Sequence, residues 1–486
     1  MKNLLIIGVI IVGLSACGNS DSKSETPTAS EPNQFVTLRE TIEDDLEQNN
    51  AVAVSVAIYK EGEIIFAEAF GEKVKDSGEA VTTDTLFQLG STTKMFTGLA
   101  TLQLIEQGVL SKDDKLVNTL PNIQYPSVQA HTWQDVSVYH LLSNQSGLAD
   151  KYLGGDSNSS LVNYMTTVYP QNNRQMNPPG MFYNYSNPNF SYLGAIVEHL
   201  TQTPYAEHIQ QNIFEPLGMS RTWLDRSMVI ADGDYALGYQ EDDEGGIFMT
   251  DINQIPSQPA VSPAGAETWS TPKQQLEMAK FLLEGNTDIL SNDWRKEITS
   301  AHVSREFLGL PMYYGYGMFV DDGFEHNEEW YQEKIWKHGG NTAAYTSLFW
   351  IIPEKKIAIS IMSSGGFDDF NPSMIAALES VTELVSPQET PVIPTETSEY
   401  YKHEGTYSTG ELTASITEED KELYITIPEF DAANVPYEQK LEPLADKTFY
   451  FLINDGAEMI TFLPHNDDGE SAYLVNRNFV GIKDGY

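Results

Sequence analysis

The chain reads as an α+β protein: one antiparallel sheet flanked by helices, with a helical subdomain, then a small C-terminal antiparallel β-barrel. Three observations predict this. Strand and helix signals at the two ends of the large domain mirror one another, the middle is dominated by helical periodicity, and past a proline-rich break the pattern turns to short alternating strands.

The large domain opens with a helix over 38–48 and a hairpin in which 51–59 and 64–70 flank Lys60-Glu61-Gly62-Glu63. Its far end holds a second strand pair, 344–353 and 356–363, followed by a helix over 372–385. Sequence-distant ends therefore share one antiparallel sheet covered by both terminal helices. Between them lie helical segments at 91–108, 139–142, 189–200 and 205–213, and no internal repeat is visible. A cleft between sheet and helical layer is the expected place for chemistry. Residues 386–398 carry Pro387, Pro391 and Pro394 without apolar periodicity and read as an exposed linker. Downstream, residues 399–486 form the barrel: Leu412 to Thr417 and Leu423 to Ile427 alternate around an acidic turn, and Phe449 to Ile453 pairs with Met459 to Leu463 across Asn454-Asp455-Gly456. The barrel shows no polar constellation that suggests chemistry.

Residues 1–17 have the form of a secretion signal: Met1-Lys2-Asn3, an apolar run from Leu4 to Leu14, then Ser15-Ala16-Cys17. The run is too short for a comfortable membrane span. Leu14-Ser15-Ala16-Cys17 resembles a bacterial lipoprotein box, which implies cleavage before Cys17 and lipidation of its thiol. The mature chain is then a lipoprotein of the cell envelope, anchored to the membrane and facing the periplasm or the extracytoplasmic side. Gly18 after the cysteine, rather than aspartate, points to the outer membrane where a cell has one. Cys17 is the only cysteine, so disulfides are excluded. Residues 18–34, rich in Ser, Thr, Glu and Pro, read as a flexible tether with the domain starting at 35.

Seventy acidic residues against 28 basic ones give a formal charge of −42, which repels nucleic acid and anionic lipid surfaces. No nucleic-acid partner and no protein partner is indicated. The expected partners are a small-molecule or peptide substrate and, through Cys17, the membrane.

Ser91-Thr92-Thr93-Lys94 places a hydroxyl and an amine one helical turn apart on a shared face. The spacing alone is weak, because Ser20 to Lys23 and Ser270 to Lys273 repeat it. Ser20 lies in the tether, and Ser270-Thr271-Pro272-Lys273 reads as a capped helix start with proline at the first helical position. Ser91 instead leads into Met95-Phe96-Thr97-Gly98-Leu99-Ala100, an apolar helix that would bury Lys94, and desolvation disfavours an ammonium. Taken alone, the pair is a helix N-cap and a solvated lysine. Two further segments change that reading: Pro179-Gly180-Met181-Phe182-Tyr183-Asn184-Tyr185-Ser186-Asn187, with the only Tyr-x-Asn in the chain, and Trp336-Lys337-His338-Gly339-Gly340-Asn341-Thr342 at the late strand pair.

In order and context these three elements resemble the serine β-lactamase and penicillin-binding protein family, especially its class C-like branch of D-alanyl-D-alanine carboxypeptidases, D-amino-acid amidases and esterases. The resemblance spans roughly residues 35–385 and is supported by His140-Leu141-Leu142-Ser143-Asn144-Gln145-Ser146-Gly147-Leu148, Ile213-Phe214-Glu215-Pro216-Leu217-Gly218-Met219 and Pro263-Ala264-Gly265. It implies the β-lactamase/transpeptidase-like fold and a set of roles. Ser91 attacks an acyl carbonyl and becomes acylated, Lys94 helps remove its proton, and Tyr185, its phenol partly ionised by the charge on Lys94, passes the proton to the leaving group. Asn187 would hold the substrate's amide oxygen, the backbone N–H groups of Ser91 and Asn341 would form the oxyanion hole, and Gly339 and Gly340 would let substrate backbone lie against the strand. His338 stands where the commonest family pattern has lysine, which attracts a substrate carboxylate. Histidine is mostly neutral at pH 7, so reliance on a carboxylate, and with it penicillin and cephalosporin turnover, is expected to be weak. A second His-x-Gly, His403-Glu404-Gly405, reads as a surface turn among the C-terminal strands.

No Gly-x-Ser-x-Gly, His-Glu-x-x-His or cysteine cluster occurs, so neither an α/β-hydrolase elbow nor a zinc site is expected, and no cofactor or metal is implied. The expected function is a lipid-anchored serine hydrolase forming an acyl-enzyme on a D-peptide-like amide or a small ester. The alternatives are a weak β-lactamase or esterase, and a non-catalytic peptidoglycan-binding or penicillin-sensing module.

Overall fold

Strands that are buried along both faces form the centre of the large domain. In the computed structural model, which describes residues 33–125, 133–150, 160–242, 246–252, 267–305, 310–391, 396–409, 411–454, 456–465 and 469–486, the first hairpin is β1 (Ala53–Lys60) and β2 (Glu63–Gly71). The chain returns to the same sheet with β3 (Val303–Ser304), β4 (Met312–Tyr314), β5 (Phe319–Asp321), β6 (Ile335–Asn341), β7 (Thr346–Ile352) and β8 (Ile357–Ser363). The eight strands lie in the order β2-β1-β8-β7-β6-β5-β4-β3, so the two ends of the domain meet where β1 pairs antiparallel with β8, Val54 opposite Ser363. The apolar runs of β1 and β8 follow from that central position, since no face of either strand reaches water for long.

Helices α1 (Val36–Gln48), α2 (Lys94–Glu106), α3 (Asn187–Thr201), α4 (Pro272–Glu284) and α5 (Asn371–Val381) supply most of the cover. Buried Asp45 of α1 accepts from the backbone N–H of Ser373 at 2.9 Å and from its hydroxyl at 2.5 Å, so one terminal helix caps the other. Helix α4 packs on β1 and β8, and Ser360 of β8 donates to Gln275 at 2.6 Å. Its start is as expected: Thr271 accepts from Gln274 N–H, Pro272 follows, and Lys273 pairs with Asp84 at 2.6 Å. Helices α2 and α3 are buried almost throughout and pack on each other, forming the heart of the helical subdomain.

The described residues divide into two compact units, one within 37–305 and 311–391 and the other within 396–486 together with 33–36 and 310. In the second unit the strands β9 (Gly405–Ser408), β10 (Thr413–Glu419), β11 (Glu422–Thr426), β12 (Lys440–Ala445), β13 (Thr448–Ile453), β14 (Gly456–Pro464), β15 (Ser471–Asn476) and β16 (Phe479–Lys483) close into a barrel. Its interior is filled by Tyr407, Ile416, Leu423, Ile425, Phe449, Phe451, Phe462 and Leu474 among others, as a barrel of this strand number allows.

Several expectations need correction. Within the linker segment, Gln388 exchanges both backbone hydrogen bonds with Trp330, at 3.0 and 2.8 Å, a pairing the sequence did not signal, while residues 386–389 and 391 are exposed. The last helix of the large domain stops at Val381, because Thr382 is extended. The tether gives way to a 3₁₀ turn at Asn33–Phe35. The short strands β3–β5 were not anticipated. The signal segment, Cys17, Ser20, Lys23 and Pro263-Ala264-Gly265 lie outside the described residues. None of the described helices is long and apolar enough to cross a membrane.

His403, expected at a surface turn, is 4% exposed. Its ring stacks on Phe462 with centroids 4.3 Å apart, and its Nδ1 lies 2.6 Å from the Ser471 hydroxyl. Burial first, and then the charges of Lys447 and Lys483, lower its pKa from 6.5 to about 4. The unfolded chain takes up this proton below pH 6.5 while the folded barrel does so only near 4, so barrel stability falls as pH drops through that window. At about 1.4 kcal/mol per pH unit the loss from this group is on the order of 3 kcal/mol. All seven tryptophans lie between Trp133 and Trp350. The expected acid weakening is therefore read by hydrogen exchange of the barrel amides between pH 6.5 and 4, and a His403→Gln chain should lose less protection over the same interval.

Candidate active site

The Ser91 turn is built by a change of backbone direction. Phe87–Gln88 pairs with Trp269–Ser270, Gly90 then takes a left-handed φ of +57°, and a 3₁₀ turn over Gly90–Thr93 runs into α2 at Lys94. Ser91 sits in the first turn, where backbone N–H groups have no intrahelical acceptor. Lys94 is 0% exposed. Its Nζ donates to Ser91 Oγ at 3.0 Å and to Asn187 Oδ1 at 2.5 Å, and lies 4.9 Å from the ring centroid of Tyr185 and 5.7 Å from that of Phe190. Ser91 and Tyr185, which the sequence assigns to proton transfer with Lys94, therefore both stand beside its buried amine. The rival pair is dispersed: Ser270 is buried against Thr222 Oγ1 at 2.7 Å while Lys273 is bridged to Asp84.

The segment carrying Tyr185 and Asn187 is held by a polar cluster that the sequence reading missed. Asn144, at a left-handed φ of +57°, accepts through Oδ1 from Ser186 N–H at 3.1 Å and from Asn189 Nδ2 at 2.8 Å, and its carbonyl accepts from Asn184 N–H at 2.9 Å. Ser146 donates to Asn189 Oδ1 at 2.5 Å. Asp150 accepts through Oδ1 from Asn187 N–H at 2.9 Å and from Asn187 Nδ2 at 3.1 Å, capping the first turn of α3. Asn144 belongs to the quoted stretch 140–148, and its tolerance of left-handed backbone was the available signal.

Asn187 was expected to hold the substrate's amide oxygen, and the structure corrects this. The side chain is 1% exposed, its oxygen is taken by Lys94, and its amide nitrogen is turned to Asp150. It orients the lysine rather than facing a ligand.

Strand β6 brings the third motif. Thr342 N–H donates to Tyr345 O at 2.9 Å, and bonded and non-bonded pairs alternate along an antiparallel ladder. The next pair, Asn341 opposite Thr346, is therefore the non-bonded one, and Asn341 N–H points away from β7. On that side β5 pairs only with Ile335, Trp336 and Lys337, so the edge beyond is open. A Cβ on Gly90 would stand 2.7 Å from Asn341 N, which puts the Ser91 turn and this amide side by side. The Asn341 side chain, by contrast, is exposed, with its oxygen accepting from Thr346 Oγ1 at 2.9 Å.

Gly340 also needs correction. A Cβ there would overlap the Leu89 carbonyl oxygen and stand 2.9 Å from Ser91 N, so the bare Cα makes room for the Ser91 turn and not for substrate. A Cβ on Gly339 would meet nothing nearer than 3.8 Å, an ordinary contact, so the protein's own packing does not require that glycine.

His338 is 2% exposed. Its Nδ1–H donates to Gly339 O at 2.6 Å, which leaves Nε2 as a bare acceptor with no partner. Burial, then the charge of Lys94, lowers its pKa to about 3. The ring sits in an aromatic wall with Phe319 at 4.9 Å, Tyr185 at 6.3 Å and Tyr314 at 6.5 Å. Behind the wall, Arg305 donates to Asp321 at 2.8 Å and lies over Phe319 at 4.4 Å, while Lys337 bridges the other oxygen of Asp321 at 3.0 Å. A half-buried hydroxyl beside a buried amine, a phenol nearby and two adjacent backbone donors make an arrangement suited to acyl transfer.

Comparison with known proteins agrees with this geometry. The profile of the family described as Beta-lactamase matches residues 38–381. The chain is similar to a Beta-lactamase of Yersinia enterocolitica, 27% identical over 281 residues, covering 56% of this chain and 65% of that protein. It is also similar to Penicillin-binding protein 4* of Bacillus subtilis (strain 168), 26% identical over 428 residues, covering 80% of this chain and 86% of that one. Against the Protein flp of Staphylococcus aureus (strain NCTC 8325 / PS 47) the match is 26% over 237 residues, covering 48% of this chain and 44% of that one. The chain thus spans between about half and two thirds of the length of the curated relatives that head the comparison, 44% and 65%. Two solved structures share the fold. An octameric penicillin-binding protein homologue from Pyrococcus abyssi has a TM-score of 0.62 at 23% identity, over 92% of this chain and 99% of that one. A D-amino acid amidase from Ochrobactrum anthropi SV3, complexed with L-phenylalanine amide, has 0.58 at 22% identity, over 71% of this chain and 98% of that one.

The two glycines of β6 separate by mutation. Gly340→Ala should displace the Ser91 turn, and a shift of about 1 Å at such a site costs on the order of 10²-fold in rate. Labelling by a fluorophosphonate probe should slow accordingly, whereas Gly339→Ala should label within about threefold of the parent chain, the scale of an unhindered surface change.

Proposed function

The chain belongs to the Beta-lactamase family, and from that premise we propose that it is a serine hydrolase whose Ser91 is acylated by a D-peptide-like amide or a small ester. The observation that carries this reading is the fully buried Lys94 amine 3.0 Å from Ser91 Oγ. In its free-base form the amine takes the Ser91 proton as Oγ attacks the carbonyl carbon. The resulting oxyanion is held by the N–H groups of Ser91 and Asn341. Tyr185, beside Lys94, returns the proton to the departing amine or alcohol, and water then cleaves the ester so formed by the reverse sequence.

The neutral His338 supports the absence of strong carboxylate recognition. With a pKa of about 3 the imidazole carries no charge anywhere in the physiological range, and Arg305, the nearest other cation of the wall, is engaged with Asp321. Penicillins and cephalosporins, which present a carboxylate, are therefore expected to be poor substrates. We also infer from Leu14-Ser15-Ala16-Cys17 that the mature chain is lipid-anchored at Cys17 in the cell envelope. Palmitate incorporation that survives in a Cys17→Ser chain would overturn the anchor.

The proposed chemistry makes a direct prediction. Fluorophosphonate labelling and hydrolysis of p-nitrophenyl acetate should vanish in Ser91→Ala and fall by about 10³-fold or more in Lys94→Met, the range of losses for a nucleophile's base. The acid limb of kcat/KM should show no inflection between pH 5 and 7 from His338, since the ring protonates only near pH 3. An inflection there that disappears in His338→Gln would contradict the assignment, as would benzylpenicillin turnover faster than that of the ester.

A further inference from the structure

Resting on the reading of Ser91 as an acylated nucleophile, we propose that the Asp150 carboxylate receives the free ammonium group of the substrate, so that the acyl donor is an unacylated amino-acid amide or ester. Four observations converge. First, Asn187 offers no donor to the oxygen of an N-acyl group, because Nδ2 is turned to Asp150 at 3.1 and 3.3 Å. Second, Asp150 is half-buried, so part of it meets solvent, while only the Asn187 carboxamide separates it from Lys94. The α-nitrogen of an amino-acid amide is two bonds from the carbonyl carbon, which matches an anion standing so close to the nucleophile.

Third, the rest of the wall suits neither a carboxylate nor a second anion. His338 is neutral with a bare Nε2 acceptor, and the nearby cations Arg305 and Lys337 share the buried Asp321. Fourth, a chain of formal charge −42 raises the local concentration of cationic ligands and lowers that of anionic ones. Asp150 also caps α3, as already described. A cap alone would serve every substrate equally, whereas an ammonium-binding carboxylate discriminates among them.

The test uses the full chain and its Asp150→Asn variant against D-alanine p-nitroanilide, N-acetyl-D-alanine p-nitroanilide and p-nitrophenyl propionate, with melting curves to check that both fold. The parent chain should prefer the free amine, and kcat/KM for that substrate alone should fall as pH rises through about 8, where an α-ammonium loses its proton. In Asp150→Asn all three substrates lose some activity, because Asp150 also orients Asn187 and through it Lys94. The assignment is read on selectivity: kcat/KM for the free amine should fall about 10- to 100-fold further than for the other two, mainly through KM, the scale of one charge-assisted hydrogen bond. An equal drop for all three substrates, or a parent preference for the N-acetyl compound, overturns the proposal. Calorimetric binding of D-alaninamide to Ser91→Ala, lost in Ser91→Ala with Asp150→Asn, reads the carboxylate without turnover. Binding that behaves this way while the parent chain turns over none of the three substrates would sink the acylation reading and leave Asp150 as assigned.

Discussion

The constraint on which the site depends is the seating of one backbone against another: the Leu89–Ser91 turn lies on β6 at Gly340 and Asn341. Side chains lock this contact. Ser347 of β7 donates to the Leu89 carbonyl at 2.7 Å, Thr92 donates to the same oxygen at 3.0 Å, and the two hydroxyls are 3.2 Å apart. The contact joins the sheet, assembled from residues hundreds of positions apart, to the helix that carries Lys94. Two glycines are required because each backbone stands where the other's Cβ would be. Geometry for an oxyanion is therefore a by-product of packing: the only way to close this interface places two amides side by side.

Electrostatics explains what this interface encloses. A lysine without water around it is tolerable only if its hydrogen-bonding capacity is met, and Ser91 Oγ and Asn187 Oδ1 are two of its acceptors. Asn187 presents its oxygen because Asp150 holds its nitrogen. The carboxylate thus fixes which way an amide points, and the amide fixes where an amine points. His338 fits the same field: burial first, and then repulsion by the charge of Lys94, hold the ring neutral.

Much of the fold was legible because its signals are local. The β1–β2 hairpin declares itself through two apolar runs around Lys60-Glu61-Gly62-Glu63, β7 and β8 through apolar runs around the Pro353–Lys355 turn, and the barrel hairpins through alternation of period two. The strands β3–β5 have two or three residues each, too few for any period to register, and they exist because β6 offers an edge. Lys94 could be placed because its burial follows from the apolar helix around it. Arg305, Asn144 and Asp150 could not, since each matters only through a partner distant in sequence. Gly340 and Asn187 were assigned to the correct site with the wrong neighbour, because a motif tells which residues converge but not which atom faces which.

Two of the buried histidines, His338 and His403, show how differently one side chain can be held. His403 has the same burial and the same direction of pKa shift as His338, and both sit among aromatic rings. In the barrel, Nδ1 of His403 meets the Ser471 hydroxyl, so the polar atom is part of the packing and nothing further is asked of it. At β6 the ring donates to its own neighbour, Gly339 O, and Nε2 is left without any partner in a buried setting. An orphaned acceptor of this kind costs about 1–3 kcal/mol, which packing alone does not recover. Beside Tyr185, a donor from the phenol or from a substrate N–H would recover that cost. A depressed pKa is common to both rings and to buried His208, whose Nε2 is unpartnered as well, so what sets His338 apart is its place beside Tyr185 and Lys94.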